Sequence, residues 1–258
     1  MGQAIIARIS ISFQMNTTKE INYFKDELNK YSNPDRAIGE KRYLKSPMDH
    51  YGVTMPQIRK IALTWIKDHP EVNVDEIVKL CQKLWNTHWH EERMIVDSLL
   101  EANRHQLSIH HLPIIETFIT TVTGWAQLDG VAVLAVGSIV DKDKNAAKYL
   151  SKWIKSDNFW VRRAAILSQI LEFRRGQGDF KLFEHLVAPQ FAEGKDWSKE
   201  ERFFIRKAIG WALRELAPHN PEAAFNFAKK YKTQMSGLTY REATRKLPTN
   251  YQTKLASL

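Results

Sequence analysis

The sequence predicts an all-α chain in which paired helices stack side by side, and three observations carry that expectation. Nearly every segment shows apolar residues at three- and four-residue spacing. Helix starts are marked by capping residues and by Pro at first-turn positions. Hairpin signals are missing: Asp129-Gly130, a dipeptide that often turns a hairpin, runs into the continuous apolar stretch "VAVLAVG" instead of alternating strands.

Taken in order, the elements justify themselves locally. Asn33-Pro34-Asp35 provides a cap, a Pro at the first helical position and an acidic first turn. Thr54 followed by Pro56 opens a helix through "QIRKIALTWIKDH", and Asp75 to Leu84 reads as an amphipathic helix. Ser156-Asp157 is the expected cap of "NFWVRRAAILSQILEF". Ser198 opens "KEERFFIRKAIGWALRELA", which Pro218 stops.

The helices repeat. "FWVRRAAIL" (159–167) superimposes on "FFIRKAIGW" (203–211) at an offset of 44, with weaker echoes beginning at Trp89 and Trp125. Trp89, Trp125, Trp160 and Phe204 are therefore separated by 36, 35 and 44 residues, each near the start of the second helix of a pair. Units of this length predict a right-handed α-solenoid of HEAT-like two-helix repeats, with second helices lining a concave face. Residues 16–258 are expected to form this single domain, and residues 1–15 a flexible N-terminal extension, with Met15 an alternative start.

Composition bounds the function classes. At 258 residues, with 43% hydrophobic and 26% charged residues, the chain reads as a globular protein and not as a disordered one. No apolar run is long enough to span a bilayer, so no membrane partner is expected. The N-terminal segment lacks a signal-peptide pattern, and Ile6 stands where a myristoylation signal needs Ser or Thr. A single cysteine, Cys81, excludes an internal disulfide, reads as a small core residue and fits a reducing, cytoplasmic setting. The net charge of +9 is unevenly placed: residues 1–129 carry 15 Lys and Arg against 16 Asp and Glu, the remainder 23 against 13. A basic second half fits either a solvated surface or a polyanionic partner, nucleic acid foremost.

If the second helices share one face, Arg162 and Arg163 lie beside Arg206 and Lys207 of the equivalent helix. Lys207, Trp211 and Arg214 project as one stripe. Arg and Lys grip phosphate, and aromatics contact sugar or base. Trp160 reads as core, and Lys199 and Arg202 as a solvated face. Trp125 and Asp129, one turn apart, admit two readings. Asp129 is either an N-cap for "GVAVLAVG" with Trp125 in the core, or a carboxylate kept inside a basic groove for a chemical purpose. The "HWHEER" stretch (88–93) and His110-His111 lack the spacing of a metal site, and no phosphate loop, dinucleotide fingerprint or nucleophile elbow is present, so neither metal nor cofactor is expected.

The segments "SKWIKSDNFWVRRAAIL" (151–167) and "FFIRKAIGWALREL" (203–216), with "KRYLKSPMDHYGV" (41–53) and "GWAQLD" (124–129), resemble the AlkD-like DNA alkylation repair proteins, which are HEAT-like-repeat DNA glycosylases. The resemblance spans roughly residues 18–247. It implies double-stranded DNA carrying alkylated purines as the partner, a monomer, and hydrolytic release of cationic N3- or N7-alkylated purines without base flipping or lyase activity. It implies that Asp129 is the catalytic aspartate, that Trp125 and Trp211 pack around the deoxyribose, that Arg163 holds the nearby phosphate, and that Arg214 and Tyr43 contact DNA. Where that family often has a second Trp before Trp125, this chain has Gly124, a departure that bears on the width of the site. Within the same groove, a protein that binds distorted DNA without catalysis, or a protein-interaction scaffold, remains open.

Overall fold

In the computed structural model, residues 15–192 and 197–257 are described; the expected N-terminal extension lies almost wholly outside them. Among the described residues the chain is helical throughout, apart from an isolated bridge between Asp49 and Trp89. The helices are α1 (Thr17–Lys30), α2 (Pro34–Leu44), α3 (Met55–Asp68), α4 (Val74–Trp85) and α5 (His90–Ala102). There follow α6 (Leu112–Thr120), α7 (Trp125–Gly130), a π-helical segment Val131–Val136, α8 (Gly137–Lys142), α9 (Ala146–Trp153) and α10 (Phe159–Leu167). The chain ends with α11 (Ile170–Phe173), α12 (Phe180–Val187), α13 (Lys199–Leu216), α14 (Pro221–Lys230), α15 (Gly237–Thr244) and α16 (Thr249–Ala256). No described helix is long and apolar enough to cross a membrane.

Capping explains most boundaries. Asn33 accepts from the amide of Arg36 at 3.0 Å, with Pro34 opening α2. Asn73 and Glu76 bond each other's amides at the head of α4, and Ser198 and Glu201 do so at the head of α13. One expected cap moves: α10 is capped by Asn158, whose side chain accepts from Trp160 at 2.9 Å, while Ser156 accepts from Asn158. The long helix expected to reach Phe173 also breaks. At Ser168 and Gln169 both side chains turn back onto the Ala165 carbonyl, and α11 starts afresh at Ile170.

Packing follows the pairs. The second helices form one layer: α5 packs on α3 and on the π segment, which packs on α10, then α10 on α13, and α13 on α15. The first helices pack outside them, α4 on α5, α9 on α10 and α14 on α13 and α15. Trp65, Phe118, Trp153, Phe173, Phe183 and Phe227 lie fully buried between the layers. Cys81 is buried with them, and burial pushes its thiol well above its usual range. Trp89 is the cap residue of α5, Trp125 the first residue of α7 and Trp160 the second of α10, as the repeat predicts. The fourth unit is longer because α13 begins five residues before Phe204. Trp160 is partly buried, its ring tilted 50° against Phe204 of the next repeat at 4.7 Å between centroids, rather than fully within the core.

Candidate functional site

Asp129 is not a helix cap. It is the fifth residue of α7, whose cap position is Gly124, and the chain continues helically through the π segment to Lys142. The π turn begins two residues after Asp129, and such turns insert an extra residue per ring and re-aim the side chains around them. The carboxylate faces α10. Arg163 donates from Nε to Oδ1 at 2.9 Å and from Nη2 to Oδ2 at 2.8 Å, a two-pronged grip that fixes the plane of the carboxylate. The third prong, Nη1, donates to the carbonyl of Phe204 on α13 at 2.7 Å, so one guanidinium ties three successive second helices together. Arg163 is 3% exposed and orients Asp129 in this structure; the resemblance gave it the phosphate near the lesion. The Asp129 side chain keeps 17% of its surface open, enough for contact from the groove side.

Trp125 is half-buried at the N-terminus of α7, with Tyr43 standing edge-on over it at 6.2 Å between ring centroids. Tyr43 is 74% exposed. Their juxtaposition traces back to "HWHEER". Glu91, fully buried, accepts the amides of Gly52 (2.6 Å), Val53 (3.2 Å) and Tyr51 (3.0 Å), while Glu92 accepts the Tyr51 hydroxyl at 2.9 Å. Gly52 makes this turn at φ +78°, a left-handed conformation natural to glycine. The turn in turn receives Asn33, whose amide donates to the Tyr51 carbonyl at 2.8 Å, so α2 is carried into position with Tyr43 near its end. Sequence reasoning discarded this stretch as a weak metal motif; its acidic residues anchor a loop.

Gln127, which the sequence did not single out, holds the other end of the arrangement. Buried beneath Trp125, its amide oxygen accepts from Thr123 (3.1 Å) and Arg93 (3.3 Å), and its nitrogen donates to the Met48 sulfur at 2.8 Å. Its nitrogen also lies 3.3 Å from Nδ1 of His90. Burial, followed by the neighbouring His50, lowers the His90 imidazole to about 4, so it stays neutral at physiological pH. A polar residue inside the otherwise apolar run after Trp125 was the available signal.

The remaining expected residues divide by helix face. On α13, Lys207, Trp211 and Arg214 do share one stripe, and Trp211 is half-buried with the Arg174 guanidinium 6.0 Å from its ring. Both cations are engaged by Glu242 of α15: Lys207 at 2.6 Å through one oxygen, Arg214 through the other. Burial pushes the Glu242 carboxyl up, but the Lys207 hydrogen bond with the charges of Arg214, Lys207 and Arg245 outweighs it and holds the group below its ordinary value. Arg206 falls elsewhere. Consecutive helical residues point about 100° apart, and Arg206 lines a separate cavity with Trp197, Gln190 and Gln234. The same rotation separates Arg162 from Arg163. Arg162 donates to the Ser156 carbonyl and to Gln190 at 3.0 Å and stacks on Trp197 at 4.9 Å, on the far side of α10 from Asp129.

One trio has metal-ligand chemistry: Glu40, His50 and Glu91 have donor atoms within 4.8 Å of one another. Glu91 already accepts three backbone amides, and Glu40 accepts from Arg36 at 3.1 Å. Of the three, Glu91 is committed to the loop, while Glu40 Oε2 stands 3.8 Å from Nδ1 of His50.

Residues 24–247 match the family described as "DNA alkylation repair enzyme", close to the span the sequence motifs suggested. Comparison with curated protein sequences gives no match. Among solved structures, the chain is similar to a protein described as a predicted DNA alkylation repair enzyme from Enterococcus faecalis, at 19% identity and a TM-score of 0.71 over 84% of this chain and 97% of that one. It is also similar to AlkD2 from Streptococcus mutans (17% identity, TM-score 0.60, 90% and 100% covered) and to smu.31 from Streptococcus mutans UA159 (19%, 0.54, 86% and 100%). At these identities the structural likeness establishes the shared helical-repeat fold. With the family match covering most of its length, the chain belongs to the DNA alkylation repair enzyme family.

Proposed function

We propose that this protein is a monofunctional DNA glycosylase, hydrolysing the N-glycosidic bond of cationic N3- or N7-alkylated purines in double-stranded DNA. The observation that carries the reading is the Asp129 carboxylate, oriented by Arg163 and left partly open, on the same helix as Trp125 and near its N-terminus. Alkylation at N3 or N7 makes the base a positively charged, ready leaving group, so the enzyme need not protonate it. Bond breakage builds positive charge on the sugar, as in other glycosyl transfers. A fixed carboxylate stabilises that charge without reorganising and orients the attacking water. Aromatic faces at Trp125 and Trp211 add cation–π attraction to the same charge.

The Asp129 carboxylate, partly open on a layer of laterally stacked helices, favours approach from the sugar-phosphate side over capture of a flipped base. Selectivity then rests on the lesion's own charge. Duplex DNA carrying 7-methylguanine should release its base, while the same duplex carrying hypoxanthine, a neutral lesion, should not. Equal release from both would contradict the mechanism. DNA binding with release from neither would assign the chain to non-catalytic recognition of distorted DNA.

A further inference from the structure

A second carboxylate stands behind the Asp129–Arg163 pair. Asp97, on α5, is 8% exposed, and its Oδ1 makes no hydrogen bond. Both carboxylate oxygens occupy the space beside Gly130 that a side chain would need, each 2.3 Å from where a Cβ at position 130 would stand. Gly130 is thus required for close approach: any side chain there would drive Asp97 out of its place beside the residue that follows Asp129. The charged groups that face Asp97 are Glu101 from its own helix, Arg59 from α3 and Asp129 from α7. Arg59 is committed to Glu101, at 2.7 Å. Among the described residues, Asp97 is left as a buried carboxylate with no cation in contact.

The consequence is electrostatic. Asp129 is held two-pronged by Arg163, whose positive charge offsets part of the attraction that carboxylate exerts on a developing cation, so a second negative charge close by adds to it. We infer that Asp97 supplies the net negative charge of the site, acting through Gly130 and Asp129 on the sugar cation without touching the substrate. This rests on the glycosylase reading above. It makes Asp97 a positioning residue, one whose field complements that of Asp129, and it gives the reaction a proton-controlled setting. Burial first, then Glu101 and Asp129, opposed by Arg59, raise the Asp97 carboxyl to about 7. Below that pH the residue is neutral and the site loses its net charge; above it the charge is present.

The test is single-turnover release of 7-methylguanine from duplex DNA at pH values on either side of 7, with spontaneous loss subtracted, for the wild type and Asp97→Asn. The wild type should gain on the order of tenfold as pH rises through the Asp97 titration, the size expected for one unit charge at effective dielectric constants near 20. Asp97→Asn should remain at the low-pH rate throughout while melting no lower than the wild type. The Gly130 amide, followed by NMR without substrate, should titrate near the same pH in the wild type and not in the variant. A pH step that persists in Asp97→Asn, or a rate lowered equally at all pH values, overturns the inference and leaves the glycosylase reading intact. No release by the wild type at any pH removes that reading, and the inference with it.

Discussion

The pairing of Asp129 with Arg163 decides what each residue can do. A free carboxylate in a cationic groove would adopt several orientations; one held at both oxygens has a fixed plane, with its remaining lone pairs directed at the open side. Arg163→Lys keeps the charge but loses the fork, since an ammonium cannot bond two oxygens and the Phe204 carbonyl in one plane. Excision by Arg163→Lys is expected to fall by about 100-fold, in line with a 1 Å misplacement at a reacting centre, while thermal melting shows a loss of about 1–3 kcal/mol. A variant that melts lower yet excises normally would show that the arginine is structural alone. The pair itself was not legible as a pair: its members are 34 residues apart, and although the resemblance singled out Arg163 of the basic doublet, it assigned that residue to phosphate and not to Asp129. The repeat offset held the missing information, because 34 residues is nearly the distance between equivalent positions of adjacent second helices.

At the scale of elements, caps were readable and interruptions were not. Asn33-Pro34, Thr54-Pro56 and Ser198 with Glu201 are short-range patterns in which the capping chemistry sits within a few residues. The break between α10 and α11 depends on Ser168 and Gln169 turning back onto the Ala165 carbonyl, and the π turn after Gly130 interrupts a run of uniformly helical, apolar residues, so neither carries a marker like a cap. The same holds for the α2 platform. Glu91 looked like half a metal motif because its partners, the amides of residues 51–53, lie about 40 residues upstream. Glu91→Gln should cost about 1–3 kcal/mol in chemical denaturation, since an amide nitrogen would then face backbone N–H groups. It should also speed proteolytic cutting of the segment between α2 and α3, and displace Tyr43 from Trp125. Unchanged proteolysis would mean the loop is held by other contacts.

For the whole molecule, the repeat made the all-α solenoid legible, and the resemblance of a few motifs pointed to the family that the match over residues 24–247 then established. The excess of positive charge in the second half was equally plain from the sequence. Its availability was not: Glu242 ties Lys207 to Arg214, while Arg162 and Arg206 point away from the Asp129 groove. The molecule thus sets Tyr43 of α2 against Trp125, at the head of the central helix that also bears Asp129, with the stripe bearing Trp211 on α13 of the same layer of stacked helices. Its proposed chemistry concentrates on one carboxylate, and base release from methylated duplex DNA by the wild type and Asp129→Asn tests it most directly. Chromatography should find 7-methylguanine and 3-methyladenine liberated by the wild type and almost none by the variant, with DNA binding retained. Release by Asp129→Asn at the wild-type rate would contradict the account.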